Sequence, residues 1–241
     1  MPRFFYSGAL AVGAEILLPD KLVRHLQVLR MEAGDEITLF NGEGGQYLAV
    51  LATLDRKEAR AVLRHFSPRD VELPFMVAIA QALPEGAKMD GIIEKCVELG
   101  AACIQPLQAR RSVVRLSGER ATKRLQHWEG IVIAASEQCG RNRLARVYAP
   151  CDFTDWASHQ DLHRRILLSP RADQSLADWA AHHPPQALTI VVGPEGGFST
   201  EEEELAGRHG MLSLAMGPRV LRTETAAMAA LATLNAHWDR A

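Results

Sequence analysis

No apolar run in this sequence of 241 residues approaches the roughly 20 residues that a membrane-spanning helix needs. The opening residues Met1-Pro2-Arg3-Phe4-Phe5-Tyr6 also lack the apolar stretch of a secretory signal. The expectation is a cytoplasmic protein with no membrane partner. Cysteine is scarce: Cys96, Cys103, Cys139 and Cys151 form no C-x-x-C pair. The nine histidines include no H-E-x-x-H, and His182-His183 ahead of two prolines is the composition of a solvated loop. Structural zinc needs clustered thiolates or imidazoles, so no metal is expected. Three nucleotide and hydrolase loops are missing as well. There is no G-x-x-x-x-G-K-[ST], no G-x-G-x-x-G after the first strand of the α/β part, and no G-x-S-x-G. These absences count against a P-loop NTPase, a dinucleotide oxidoreductase and a serine hydrolase. Neither an internal repeat nor a low-complexity tract is present.

What is present is ordinary globular composition, 47% hydrophobic and 23% charged, enough to bury a core. The net charge of −2 excludes indiscriminate coating of nucleic acid, yet it averages over an uneven distribution. From Arg110 to Arg146 nine Lys or Arg face three Glu, while acid is concentrated in Glu201 to Glu204. A basic stretch on a near-neutral chain suits a structured polyanion bound at a defined place. A merely solvated helix face is the alternative.

The first 70 residues read mostly as strand. Ile37, Leu39, Ala49 and Leu51 alternate with period 2, and Asn41-Gly42-Glu43-Gly44-Gly45 between them supplies a hairpin connection. A further alternating run covers Ala59 to Leu63, and Pro68 to Pro74 reads as a linker. From Phe75 the pattern becomes strand–helix alternation, the mark of an α/β layer architecture. Strands are predicted at Phe75–Ala80, Ile104–Leu107, Arg165–Leu168, Thr189–Val192 and Leu212–Met216. A helix places Met89, Ile92, Ile93, Cys96 and Val97 on one face and ends at Gly100. Another runs from Ala121 to Gln138 with Leu125, Trp128 and Val132 inward, and a third lies near Trp179.

Two strand-to-helix junctions carry the chemistry. The first is Gly193-Pro194-Glu195-Gly196-Gly197-Phe198, followed by Ser199 and Glu202 at capping-box spacing. Glycines at the carboxyl end of a strand allow close approach of a ligand to the backbone. A tight structural turn is the alternative. The second junction runs Met216-Gly217-Pro218-Arg219-Val220-Leu221-Arg222-Thr223-Glu224-Thr225, ahead of a helix that is apolar nearly all round from Ala226 to Ala236 and so is expected to be buried. Thr223 is the expected N-cap, with Glu224 in the first turn. Arg222 is a cation facing the positive end of the helix dipole. That placement calls either for a salt bridge to Glu224 or another buried acid, or for an anionic ligand.

Together the two junctions resemble the cofactor-binding motifs of the RsmE family, in the SPOUT class of knotted methyltransferases. Three further segments agree: His25-Leu26-Gln27-Val28-Leu29-Arg30 leading to Gly34-Asp35, Lys95-Cys96-Val97-Glu98-Leu99-Gly100, and Ser136-Glu137-Gln138-Cys139-Gly140-Arg141. The resemblance spans essentially the whole chain. It implies an α/β fold in which residues 1–70 form a PUA-like, RNA-binding β-barrel and residues 74–241 a SPOUT domain with a C-terminal trefoil knot. It implies S-adenosylmethionine as cofactor and N3 of a uridine in 16S ribosomal RNA as target, within the assembled or nearly assembled small subunit. A homodimer is implied too, with the helix after Thr225 in its interface.

Carried onto this chain, the resemblance assigns cofactor binding to Gly193, Glu195, Gly196, Gly197, Met216, Gly217, Val220, Leu221, Arg222 and Thr223. Arg222, Glu224 and Arg141 are the expected catalytic residues, and Arg30, Arg110, Arg111 and Arg141 the expected RNA contacts. Arg222 and Arg141 would stabilise charge on the uracil oxygens, and Glu224 would be the base or a helix-capping acid. The chain departs from the family pattern at Met216 and at Ala109-Arg110-Arg111-Ser112. Ser169-Pro170-Arg171 matches weakly and receives no binding role. A ribose 2′-O-methyltransferase of the same class lacks support, because no Asn-x-Ser-x-x-x-Arg motif opens the α/β part. A catalytically silent assembly factor is disfavoured by the intact Arg219, Arg222 and Glu224.

Overall fold

The structure, a computed structural model, describes residues 1–159 and 163–239. Residues 160–162 and 240–241 of the expected second domain lie outside the described residues. The chain divides into two compact units. One comprises Met1–Glu72 with Ser136–Leu144, the other Leu73–Ala135 with Ala145–Ala241. A single cut between residues 70 and 74 therefore leaves out one excursion, the segment around Gly140, that is counted with the first unit.

The first unit holds β1 (Arg3–Phe5), β2 (Glu15–Leu17), α1 (Asp20–Val28), β3 (Glu36–Phe40), β4 (Gln46–Leu54) and β5 (Ala59–Ser67). Its five-stranded sheet has the order β1-β3-β4-β5-β2. Only β1 and β3 pair in parallel. The alternation seen in sequence delivers Ile37, Leu39, Ala49, Leu51, Ala61 and Leu63 to one buried cluster. Helix α1 adds Leu22, Val23 and Leu26 to that cluster. Its three apolar residues sit at helical spacing inside a strand-rich stretch, which is why a strand-dominated reading passes over it. The helix stops in a Schellman arrangement, with the Arg30 N–H donating to Gln27 O and the Met31 N–H to Leu26 O. The left-handed residue this requires is Arg30, at φ 56°, the one non-glycine with positive φ among the described residues.

The second unit is a parallel sheet flanked by helices, as the strand–helix alternation predicts. Its elements are β6 (Val77–Ala82), α2 (Lys88–Glu98), β7 (Cys103–Gln108), α3 (Gly118–Cys139), β8 (Arg146–Val147), β9 (Cys151–Asp152) and α4 (Phe153–Ser158), then β10 (Arg164–Leu168), α5 (Leu176–Ala181), β11 (Leu188–Val192), α6 (Thr200–Arg208), β12 (Leu212–Leu214) and α7 (Thr223–Trp238). The last turn of α3 is counted with the first unit. The sheet order is β12-β10-β11-β6-β7-β8, with β9 also against β7, and every pairing is parallel. Strands β6 and β11 are buried on both faces, so they read as apolar runs without alternation.

Helix α2 buries the five residues its periodicity singles out, and Gly100 at φ 90° follows its C-cap. The Cys96 thiol on that face is pushed by burial up to about 12, which makes it an inert core group. After β12, at one edge of the sheet, the chain returns to its middle. There α7 packs on β11 and β6 and against α2 and α5. Asn235 Nδ2 donates to Leu99 O at 3.0 Å, and the Trp238 indole N–H donates to Ala180 O and His183 O. These bonds fix the far end of α7 and thereby the position of its first turn.

Candidate functional site

Three loops leave the carboxyl ends of neighbouring parallel strands and together enclose one cavity of about 430 Å³. Leu168–Arg171 follows β10, Val192–Phe198 follows β11, and part of Met216–Glu224 follows β12. The carboxyl ends of strands at a change in strand order are where open α/β sheets hold ligands. The two junctions singled out in the sequence thus meet in space. Of the ten residues expected to bind cofactor, all but Gly217 line the cavity.

The glycine-rich loop is shaped by its own sequence. The Gly197 N–H donates to Pro194 O at 2.8 Å, closing a turn, and Gly197 itself leaves that turn at φ 67°, a left-handed conformation that favours glycine. Ser199 then starts α6 with the complete capping box: its hydroxyl accepts from the Glu202 N–H and the Glu202 carboxylate accepts from the Ser199 N–H. Glu202 also accepts from the Arg110 N–H at 2.7 Å, joining the loop after β7 to the start of α6. Arg111 Nη1 donates to Gly196 O at 2.8 Å and to Phe198 O at 3.3 Å. Arg111, expected on the RNA side, is therefore a brace of the glycine loop and part of the cavity wall. Arg110 is exposed, with an open ion pair to Glu201.

The side chain of Glu195 turns toward the loop after β6. It accepts from the Glu85 N–H at 3.1 Å and from the Lys88 ammonium at 2.5 Å. Burial pushes this carboxyl up, but the Lys88 ammonium and the N–H groups of Glu195 and Glu85 outweigh that effect and hold it below the usual carboxylate range. Lys88 is correspondingly raised, first by its hydrogen bond to Glu195. Both groups stay charged through neutral pH, so the pair is a fixed tie across the cavity mouth.

At the third loop the structure corrects the expected cap. Arg222, not Thr223, occupies the N-cap of α7, in extended conformation and without a side-chain cap bond. Thr223 is the first helical residue and is buried, and its hydroxyl donates to Gly193 O at 2.6 Å while accepting from Gln81 Nε2 at 2.8 Å. One hydroxyl so joins the end of β6, the glycine loop and the start of α7. The Arg222 side chain is exposed and forms no ion pair with Glu224 among the described residues, which removes the salt-bridge explanation of its position. Glu224 lines the cavity with its Oε2 buried and unbonded.

Sequence reasoning missed five residues. Gln81 and Lys88 carry no motif of their own, and Ser169-Pro170-Arg171, given no role, forms the wall after β10. Arg141 has a different setting from the one expected. The residue is 3% exposed, and the Glu72 carboxylate accepts from one edge of its guanidinium, Nε to Oε1 at 2.9 Å and Nη2 to Oε2 at 2.5 Å, inside the first unit. A buried, doubly bonded guanidinium is a structural anchor and not an open cation waiting for a base. Arg30 stands exposed in that same unit.

Residues 71–235 match the model of the RNA methyltransferase domain family, and residues 18–64 that of the RNA methyltransferase PUA domain. The chain is 33% identical over 221 residues to ribosomal RNA small subunit methyltransferase E of Bacillus subtilis, covering 88% of this chain and 86% of that one. The chain belongs to this family. Among solved structures it is similar to the family member of Neisseria gonorrhoeae bound to S-adenosyl methionine, at TM-score 0.92 and 38% identity over 99% of this chain and 98% of that one. It is also similar to a putative methyltransferase of Legionella pneumophila in complex with the same cofactor, at TM-score 0.91 and 35% identity over 97% and 96% of the two chains. Membership makes the fold a mixed α/β architecture with an N-terminal PUA domain, and makes the chain an RNA methyltransferase.

Proposed function

We propose that this chain transfers the methyl group of S-adenosylmethionine to N3 of a uridine in 16S ribosomal RNA. The observation that carries the reading is the convergence of both glycine-rich motifs on one cavity at the carboxyl ends of β10, β11 and β12. The cavity fits such a cofactor. About 430 Å³ lies in the range of small-molecule sites, and the lining combines apolar residues such as Leu168, Val192 and Leu221 with glycines that let a ligand approach the backbone. The wall also holds a buried carboxylate oxygen without a partner, at Glu224. When bound, S-adenosylmethionine supplies a sulfonium-activated methyl group.

The residues of this chain bind, orient and exclude water. Thr223, Gln81 and Arg111 hold the loops in place, so that the target base and the methyl donor meet in line, a positioning effect worth several kcal/mol. Arg222, exposed at the rim and free of an ion pair among the described residues, stabilises the negative charge that spreads over the uracil oxygens once the N3 proton leaves. The basic face of α3, with Arg120 and Lys123 exposed, and the exposed Arg110 and Arg30 hold flanking phosphates of a base drawn out of its stack.

Three finer features belong to the same reading. The N-terminal sheet closes as a PUA-like barrel. The C-terminal segment threads a trefoil knot, supported by its return from the sheet edge at β12 to the central strands. A homodimer, acting in the cytoplasm on the assembled or nearly assembled small subunit, covers the small-residue face of α7 on which Thr225, Ala232 and Ala236 stand exposed. The test is label transfer from methyl-labelled S-adenosylmethionine to purified small subunits lacking the modification. The expected result is one label per subunit, on a uracil base. Label on a ribose, or none, contradicts the reading.

A further inference from the structure

The cavity wall carries three acids, and two of them are neutralised within the wall itself. Glu195 is paired with Lys88 and Glu203 with Arg171, both at 2.5 Å. Glu224 forms no ion pair among the described residues, and its buried Oε2 accepts no hydrogen bond. The same wall holds five cations: Lys88, Arg111, Arg171, Arg219 and Arg222. The Lys88 ammonium feels the Glu224 charge, but it is bonded to Glu195 instead.

A buried carboxylate oxygen without a partner is costly, and the N-terminal turn of α7 offsets only part of that cost. The backbone that carries it is held in place, because the residue before it, Thr223, is bonded to Gly193 and Gln81. An unpaired acid facing the cavity on a braced backbone is complementary to a positive centre on the ligand.

We propose that Glu224 is the counter-charge for a cationic centre of the bound methyl donor, and so a cofactor-specificity residue and not the base that takes the uridine proton. The inference rests on the preceding reading of the cavity as an S-adenosylmethionine site. That ligand has two such centres, the α-ammonium and the sulfonium. Both present the same chemistry to a carboxylate.

Calorimetric titration of wild type and Glu224→Gln with three ligands tests it. S-adenosylmethionine carries both charges, S-adenosylhomocysteine keeps only the ammonium, and 5′-methylthioadenosine has neither. Loss of one charge-assisted contact is expected to weaken S-adenosylmethionine about tenfold or more and to leave methylthioadenosine unchanged. Equal weakening of S-adenosylhomocysteine assigns the ammonium, and no weakening assigns the sulfonium. The ligand-free variant should melt no lower than wild type, since an amide is cheaper to bury than an unpaired carboxylate. Should it fail to fold, Glu224→Asp, which keeps the charge but withdraws it by one methylene, is expected to give the same ligand ranking with a smaller loss. Equal S-adenosylmethionine affinity in variant and wild type overturns the proposal, as does a matching loss for methylthioadenosine. Wild type that binds none of the three ligands overturns the cofactor reading itself, a distinguishable result.

Discussion

The Thr223 hydroxyl donates a 2.6 Å hydrogen bond to the carbonyl of Gly193, thirty positions earlier in the chain. Through it the first turn of α7 and the glycine loop move as one body, and Gln81 Nε2, donating to the same oxygen, adds the end of the central strand β6. Thr223→Val keeps the shape and removes the hydroxyl, leaving the Gly193 carbonyl and the Gln81 amide short of a partner. The expected cost is about 1–3 kcal/mol of stability, with weaker cofactor binding. Denaturant titration and calorimetry on one preparation check both.

Arg222 presents the converse case. Its side chain is exposed and makes no cap bond, so its removal should cost the fold little. Arg222→Ala is expected to fold, to bind cofactor close to normally, and to lose about 10²-fold in single-turnover methylation, the scale of one preorganised donor. A stable variant with a near-normal rate would remove Arg222 from the mechanism.

The two arginines after β7 separate into different roles. Arg111→Ala should lower cofactor affinity, because the Gly196 and Phe198 carbonyls lose their brace. Arg110→Ala should leave cofactor affinity alone and flatten the salt dependence of RNA binding by about one unit of slope. Removal of both charges is expected to show both effects. The contrary outcome is a pair of single variants that behave alike. A side chain at Gly196 meets the same brace, since its Cβ would lie 3.4 Å from the Arg111 stem. That contact is ordinary, so Gly196→Val is expected to abolish cofactor binding by placing its branched side chain in the cavity lining where the ligand lies.

How much of this could be read in the sequence depends on how local each signal is. The capping box of Ser199 and Glu202, the apolar face of α2 and the glycine ending it lie within one or two turns of chain, and all are found where expected. The strands β8 and β9, two residues each, are too short for any periodicity to register. Helix α4 is missed for a similar reason, although Asp152 caps it through the Thr154 N–H. The partners of the site are the hardest to see. Gln81 lies 142 positions from Thr223, and Arg111 lies 85 from Gly196. Which strands become neighbours in a parallel sheet decides such contacts, and no local pattern encodes that order. The same holds for Arg141, which the resemblance assigns to the reacting base, because its partner Glu72 lies 69 positions away.

Arg30 offers a test of strain kept for binding. A left-handed Schellman position is ordinarily glycine, and a side chain there is held at a cost. Arg30→Gly is expected to raise stability by up to about 1 kcal/mol while weakening RNA binding. Thermal melts and RNA titration would read the two effects, and a variant that gains stability with unchanged RNA affinity would leave Arg30 without a role in the complex.

The central claim, methylation of a 16S ribosomal RNA uridine at N3, is tested most directly by nucleoside mass spectrometry of 16S RNA from cells with and without this protein. The account predicts N3-methyluridine present in the first sample, absent from the second, and restored by the wild-type chain but not by Arg222→Ala. An unchanged level of N3-methyluridine in the cells lacking it would contradict the account.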